Sequence, residues 1–171
     1  YEISRHLAYQ PQEVQTPLGS LEVPMLAEQP VLGAILRAAL PVHEGMLEAF
    51  PQAESAFVAA YRMDHKKDDV VIQVDYATAP ELETRTLVLI DPMIATGKSI
   101  VRSYEALAAS GKPARVIVTG VIASEQGMEY ITRHLPEAEV FLAAVDEELT
   151  AKSYITPGLG DAGDLAYGDK A

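Results

Sequence analysis

Apolar positions come in short continuous runs separated by stretches of helical period, and that alternation predicts the architecture before any single residue does. Val31 to Leu36 reads as a strand, and Val42, Met46, Leu47 and Phe50 then recur at helical spacing up to Pro51, which stops the helix. Ser55 to Tyr61 reads as the next strand. The charged tract Met63 to Asp69 reads as a loop, and Val70 to Tyr76 alternates as a strand expected to pair outside the main sheet, so that about 62–80 forms a hairpin flap. Arg85 to Ile90, continuously apolar from Leu87, predicts a central strand buried on both faces. A helix follows to about Ala109, closed by Gly111 and Pro113. Arg115 to Ile122 reads as a strand, Met128, Ile131 and Leu135 as a helix ended by Pro136, and Val140 to Val145 as the last strand.

This order predicts an α/β fold with a mostly parallel central sheet flanked by helices. Ligands of such sheets bind at the carboxyl ends of the strands. Leu36-Arg37-Ala38, Asp91 and Asp146-Glu147 all fall at such ends and are expected to meet on one rim. The tail, about 146–171, carries Gly158, Gly160, Gly163 and Gly168 among Tyr154, Ile155, Leu159 and Tyr167. It reads as an ordered loop whose backbone can approach a flat ligand closely. Tyr1 to Leu7 reads as the end of a helix already under way, so a segment ahead of Tyr1 is expected to be missing from this numbering.

Composition narrows the picture without changing it. The chain has 171 residues, 49% of them hydrophobic, enough for a single domain with a substantial core. Its net charge of -12 argues against a nucleic-acid polymer or an anionic membrane as partner. The local basic cluster, His65-Lys66-Lys67, is flanked by Asp64, Asp68 and Asp69. With no cysteine, disulfides and thiol chemistry are excluded. No signal peptide or spanning segment is legible, so a cytoplasmic enzyme is expected. His6, His43, His65 and His134 lack metal-ligand spacing, and acidic clusters without His or Cys favour transient magnesium over a structural metal.

Candidate chemistry concentrates in Asp91-Pro92-Met93-Ile94-Ala95-Thr96-Gly97-Lys98-Ser99, directly after the central strand. Ile100, Tyr104, Leu107 and Ala108 continue at helical spacing, so Thr96 to Ser99 open a helix whose free N–H groups suit a phosphate. Asp91 would repel that anion and is placed instead for sugar hydroxyls. Two decoys fall away. Gly97-Lys98-Ser99 lacks the P-loop glycine, since Pro92 stands in its place. Gly158-Leu159-Gly160-Asp161-Ala162-Gly163 fits a dinucleotide fingerprint by letter, yet too few residues follow it for the helix and second strand required.

Asp91 to Gly97, Ile35-Leu36-Arg37-Ala38 and Tyr154-Ile155-Thr156-Pro157-Gly158-Leu159-Gly160-Asp161-Ala162-Gly163-Asp164 together resemble uracil phosphoribosyltransferase, from about Thr16 to the C-terminus. The resemblance implies a phosphoribosyltransferase-like fold with a hairpin flap and a C-terminal base-binding loop. It implies transfer of the 5-phosphoribosyl group from phosphoribosyl pyrophosphate (PRPP) to uracil, giving UMP and pyrophosphate, with Mg2+ on the leaving group. Homodimers or higher oligomers, and GTP as an effector of some members, come with it. By resemblance Asp91, Arg37 and Asp161 are the catalytic set. PRPP is held by Arg37, Arg62, Asp91, Pro92, Met93, Ala95, Thr96, Gly97, Lys98, Ser99 and Asp161. Uracil is held by Tyr154, Ile155, Gly160, Asp161 and Ala162, and Asp161 reaches the metal through water. No residue stands out as a dedicated general base.

Two departures from the family pattern occur: Lys98 replaces a small residue, and Leu165 stands where many relatives have Arg. Alternatives are a transferase for another nucleobase, which would change the tail, and a non-enzymatic RNA-binding regulator on the same fold, which the net charge opposes.

Overall fold

The computed structural model describes residues 1–63 and 71–169, with the Arg62 and Met63 side chains left out. The expected loop Met63 to Asp69 falls largely outside the described residues. The described strands and helices, numbered in chain order, are β1 Tyr9–Thr16, β2 Gly19–Leu26, β3 Val31–Leu36, α1 Leu40–Ala49, β4 Glu54–Met63, β5 Val71–Thr78, β6 Thr86–Ile90 and β7 Met93–Ile94. Then come α2 Lys98–Leu107, β8 Arg115–Thr119, β9 Ile122–Ser124, α3 Glu125–His134, β10 Glu139–Phe141, β11 Ala144–Asp146, β12 Glu148–Leu149, β13 Ile155–Thr156 and α4 Ala162–Tyr167.

Among the described residues the central sheet runs β10-β8-β6-β3-β4-β5. Every pairing in it is parallel except β4 with β5. The α/β expectation therefore holds. Alternate residues feed the two faces: Val31, Ile35, Leu87 and Leu89 pack with Ile100 and Leu107 of α2 and Ile131 of α3. Leu32, Ala34, Val88 and Ile90 pack on the other face with Ala39 and Phe50 beside α1. Each such Leu, Ile, Val or Phe contributes about 2 kcal/mol when fully buried, in keeping with a central strand that is apolar from Leu87 to Ile90.

Four expectations are corrected. The strand around Val70 to Tyr76 joins the main sheet as antiparallel edge β5, because β4 extends ten residues and offers it a full ladder. Arg115 to Ile122 and Val140 to Val145 each split in two. β7, β9 and β11 form a second, parallel three-stranded sheet beyond the first. At the break, the Pro92 carbonyl accepts from both Val121 and Ile122 N–H, while Pro92 has no N–H to continue the first ladder. Tyr1 to Leu7 holds a 3-10 turn, Ile3–His6, rather than an α-helix end. Finally, the tail is not all loop, since it contains β12, β13 and α4.

Candidate active site

The turn after β6 is built by backbone bonds before any side chain acts. Asp91 N–H is held by the Thr119 carbonyl at 3.0 Å, and Asp91 Oδ1 accepts from Met93 N–H at 3.2 Å. Gly97 then caps α2 with φ +70°, left-handed, where other residues are strained. A Cβ on Gly97 would lie 2.6 Å from the Gly127 carbonyl, and one on Gly127 would lie 2.5 Å from the Ala95 carbonyl. Loop and α3 thus interlock glycine to glycine. Ser124, fully buried, ties them: its Oγ accepts from Gly127 N–H at 2.9 Å, capping α3, and donates to the Ala95 carbonyl at 2.5 Å.

Held this way, the first N–H groups of α2 face a notch of about 30 Å³ lined by Asp91, Met93, Ala95, Thr96, Gly97 and Ser99, among others. The positive helix end and two hydroxyls suit a small dianion. Beside it opens a cleft of about 550 Å³. Leu36, Arg37 and Ala38 at the end of β3, Ala60 and Tyr61 of β4, Asp91, Met93 and Ser99, and Tyr154 with Asp161, Ala162 and Gly163 line it. Residues more than a hundred positions apart therefore share one wall-to-wall space, with Asp91 and Asp161 as its carboxylates.

Arg37 lines this cleft, and its Nη2 donates to Asp164 Oδ1 at 2.8 Å and to the Gly168 carbonyl at 2.7 Å. Asp161 is the cap of α4, its Oδ1 accepting from Asp164 N–H at 2.9 Å. Gly160 lines a neighbouring, more open cavity of about 460 Å³ together with Tyr154, Leu159 and Asp161. Ile155 is buried in β13 and lines neither space, so any part it takes is through its backbone. Pro92 and Lys98 are also outside the residues lining the notch and the cleft. Arg62 pairs through its backbone with Ile72, and its side chain lies outside the described residues. Asp146 ends β11 and accepts from Gly158 N–H at 3.1 Å, bracing the tail instead of lining the cleft.

Sequence reasoning missed Tyr61, Gly163, Ser124 and Asp164. Ser124 and Asp161 carry the helix-start signal of a hydroxyl or carboxylate ahead of a helical stretch. No sequence signal marks Tyr61, whose hydroxyl donates to Asp75 Oδ2 at 2.8 Å on the neighbouring strand. Among the described residues no group of three His, Cys, Asp or Glu side chains could hold a metal.

A sequence model of the uracil phosphoribosyltransferase family matches residues 1–169. The chain is 42% identical over 171 residues to a uracil phosphoribosyltransferase of Porphyromonas gingivalis, covering 99% of this chain and 79% of that protein. It is 40% identical over 170 residues to one of Methanothermobacter thermautotrophicus, covering 98% and 77%. Among solved structures, a protein of Aquifex aeolicus superposes with TM-score 0.89 at 32% identity, over 98% of this chain and 79% of that one. A purine phosphoribosyltransferase from Pyrococcus horikoshii matches at TM-score 0.51 and 12% identity, over 71% and 79%, which is a likeness of fold alone.

Proposed function

This chain belongs to the uracil phosphoribosyltransferase family, and we propose that the cleft between Asp91 and Asp161 is where it transfers the 5-phosphoribosyl group of PRPP to uracil, releasing pyrophosphate and forming UMP. The observation that carries this assignment is the meeting of the α2 N-terminal loop and the tail in one cleft, with Asp91 lining both it and the notch at the start of α2.

Breaking the anomeric C–O bond builds positive charge on the ribose and negative charge on the departing diphosphate. Asp91 holds the ribose hydroxyls and stabilises the nearby cation. Ala95, Thr96, Gly97, Lys98 and Ser99 hold the 5-phosphate, mainly by backbone N–H groups and the Thr96 and Ser99 hydroxyls. Arg37 and Arg62 meet the diphosphate as cations. Uracil, flat and edged with alternating donors and acceptors, lies against Tyr154 and the backbone of Ile155, Gly160 and Ala162.

Asp91 and Asp161 supply oxygen donors to one space, which suits a hard cation. When bound, Mg2+ neutralises charge on the leaving diphosphate. Asp161 would hold it through water. A homodimer or higher oligomer, GTP as an effector and a cytoplasmic location belong to this same reading and rest on family membership. Among the described residues no helix is long and apolar enough to cross a membrane.

The test is to incubate the protein with PRPP, Mg2+ and, separately, uracil, cytosine, hypoxanthine and orotate, following nucleotide formation, with Asp91→Asn alongside. UMP from uracil alone, lost in the variant, is the expected result. No nucleotide from any base overturns the assignment.

A further inference from the structure

Arg37 does more than line the cleft. Among the described residues both of its hydrogen bonds come from Nη2, one to Asp164 Oδ1 at 2.8 Å and one to the Gly168 carbonyl at 2.7 Å. Its guanidinium carbon also stands 5.7 Å from the centre of the Tyr167 ring, within cation–π range. One nitrogen thus serves α4, and Nη1 keeps its donors for a second partner.

The helix on the other side of these contacts needs them. Six residues do not sustain a helix in water, and α4 gains little from apolar burial, since Leu165 is 71% exposed. Its buried residue is Gly163, where a Cβ would lie 3.2 Å from Asp161 Oδ1 and 3.6 Å from Arg37 Nε. The helix backbone therefore seats directly against Arg37. What fixes α4 is polar, and Asp164 takes part at both ends: its N–H goes to the Asp161 cap at 2.9 Å and its carboxylate to Arg37.

We propose that Asp164 is a positioning residue that couples the two substrate sites through Arg37. By holding one nitrogen of the guanidinium it fixes the cleft wall formed by Asp161, Ala162 and Gly163, against which the base lies. By the same bond it orients the guanidinium so that Nη1 is presented to the diphosphate. This rests on the cleft being the phosphoribosyl-transfer site.

Asp164→Asn keeps the size and the backbone N–H but replaces the ion pair with a bond from the guanidinium to a neutral amide oxygen. The experiment measures PRPP binding by calorimetry without uracil, then KM and kcat for both substrates, in wild type, Asp164→Asn, Arg37→Gln and the double variant. PRPP affinity is expected to fall about tenfold in Asp164→Asn, with KM for uracil rising by a like factor and kcat changing less than about threefold. In the Arg37→Gln background, Asp164→Asn is expected to add less than about twofold, because its effect passes through Arg37. Asp164→Ser, which keeps the backbone N–H to the Asp161 cap but removes the carboxylate, serves if Asp164→Asn does not fold; it is expected to weaken PRPP by a like factor. Unchanged PRPP affinity in the folded Asp164→Asn protein, or in Asp164→Ser where that stands in, or full additivity with Arg37→Gln, overturns the coupling. A wild-type protein that binds no PRPP overturns the assignment of the cleft instead, so the two failures are distinct.

Discussion

Asp91 joins two demands in one side chain, a hydrogen bond that shapes the turn and, in the proposed function, a charge that serves the reaction. Its Oδ1 accepts from Met93 N–H, and an Asn at this position retains that acceptor. Asp91→Asn is therefore expected to cut UMP formation about 100-fold or more while shifting stability by less than about 1 kcal/mol, read by steady-state kinetics beside urea unfolding. His43 behaves oppositely, being structural. It is buried against Phe57 with its Nε2 2.9 Å from Ser55 Oγ. Burial pushes its imidazole below the ordinary 6.5, and Glu44 offsets this in part. The unfolded chain then binds the extra proton more readily, so stability is full above pH 6.5 and falls as pH drops below it, until the depressed folded-state value is passed. Comparing melting temperatures at about pH 7.5 and about pH 5.5, wild type is expected to lose more than His43→Gln. An equal loss in both would remove His43 as the cause. The burial of His43 comes from the packing of α1 on β4, which no local pattern states.

Elements explain the shape of the loop. Gly97 and Gly127 let the turn before α2 and the first turn of α3 touch backbone to backbone, and Ser124 bonds across the contact. Gly97→Ala forces a Cβ into a left-handed residue and against the Gly127 carbonyl, and is expected to cost about 1–3 kcal/mol together with PRPP affinity. Ser124→Ala removes the α3 cap and the bond to Ala95, an expected cost of about 1–2 kcal/mol, with KM for PRPP raised more than KM for uracil. Chemical denaturation and substrate titrations check both. The start of α2 was legible because a strand, a Gly-containing turn and a helical period follow one another within Leu87 to Leu107. The interlock with α3 was not, because Gly97 and Gly127 are thirty positions apart and a close approach leaves no mark except a glycine. The β1–β2 ribbon was also missed. Its sixteen residues are mostly exposed on both faces, so they lack the one-sided apolar alternation that announces a strand.

The whole molecule separates stability from chemistry along the strands. Arg115 opens β8 at the amino end of the sheet, away from the rim. Its Nε and Nη2 bond Glu139 of β10 at 2.5 and 2.7 Å, and its Nη1 bonds the His6 carbonyl at 2.6 Å, tying the N-terminal turn to the sheet. These bonds hold the Glu139 carboxyl below its usual range, so the contribution is present above pH 4.5 and lost as pH falls through the depressed folded-state value. Because the pair is partly solvated, Arg115→Met is expected to cost about 1 kcal/mol and to leave kcat unchanged, checked by melting and assay of the same preparation. Reduced kcat would mean that the two ends of the sheet are not independent. The sequence by itself determined the fold class and marked Arg37 and Asp91 as candidates for the rim. A short apolar run between turn signals suits a strand covered on both faces, and a carboxylate followed by a Gly-containing helix start marks its carboxyl end. Only the tertiary structure decided that Arg37 meets Asp164 and that each of three strand paths breaks to form a second sheet. Those outcomes depend on contacts between residues tens to more than a hundred positions apart, where chain entropy hides from any local pattern which groups will meet.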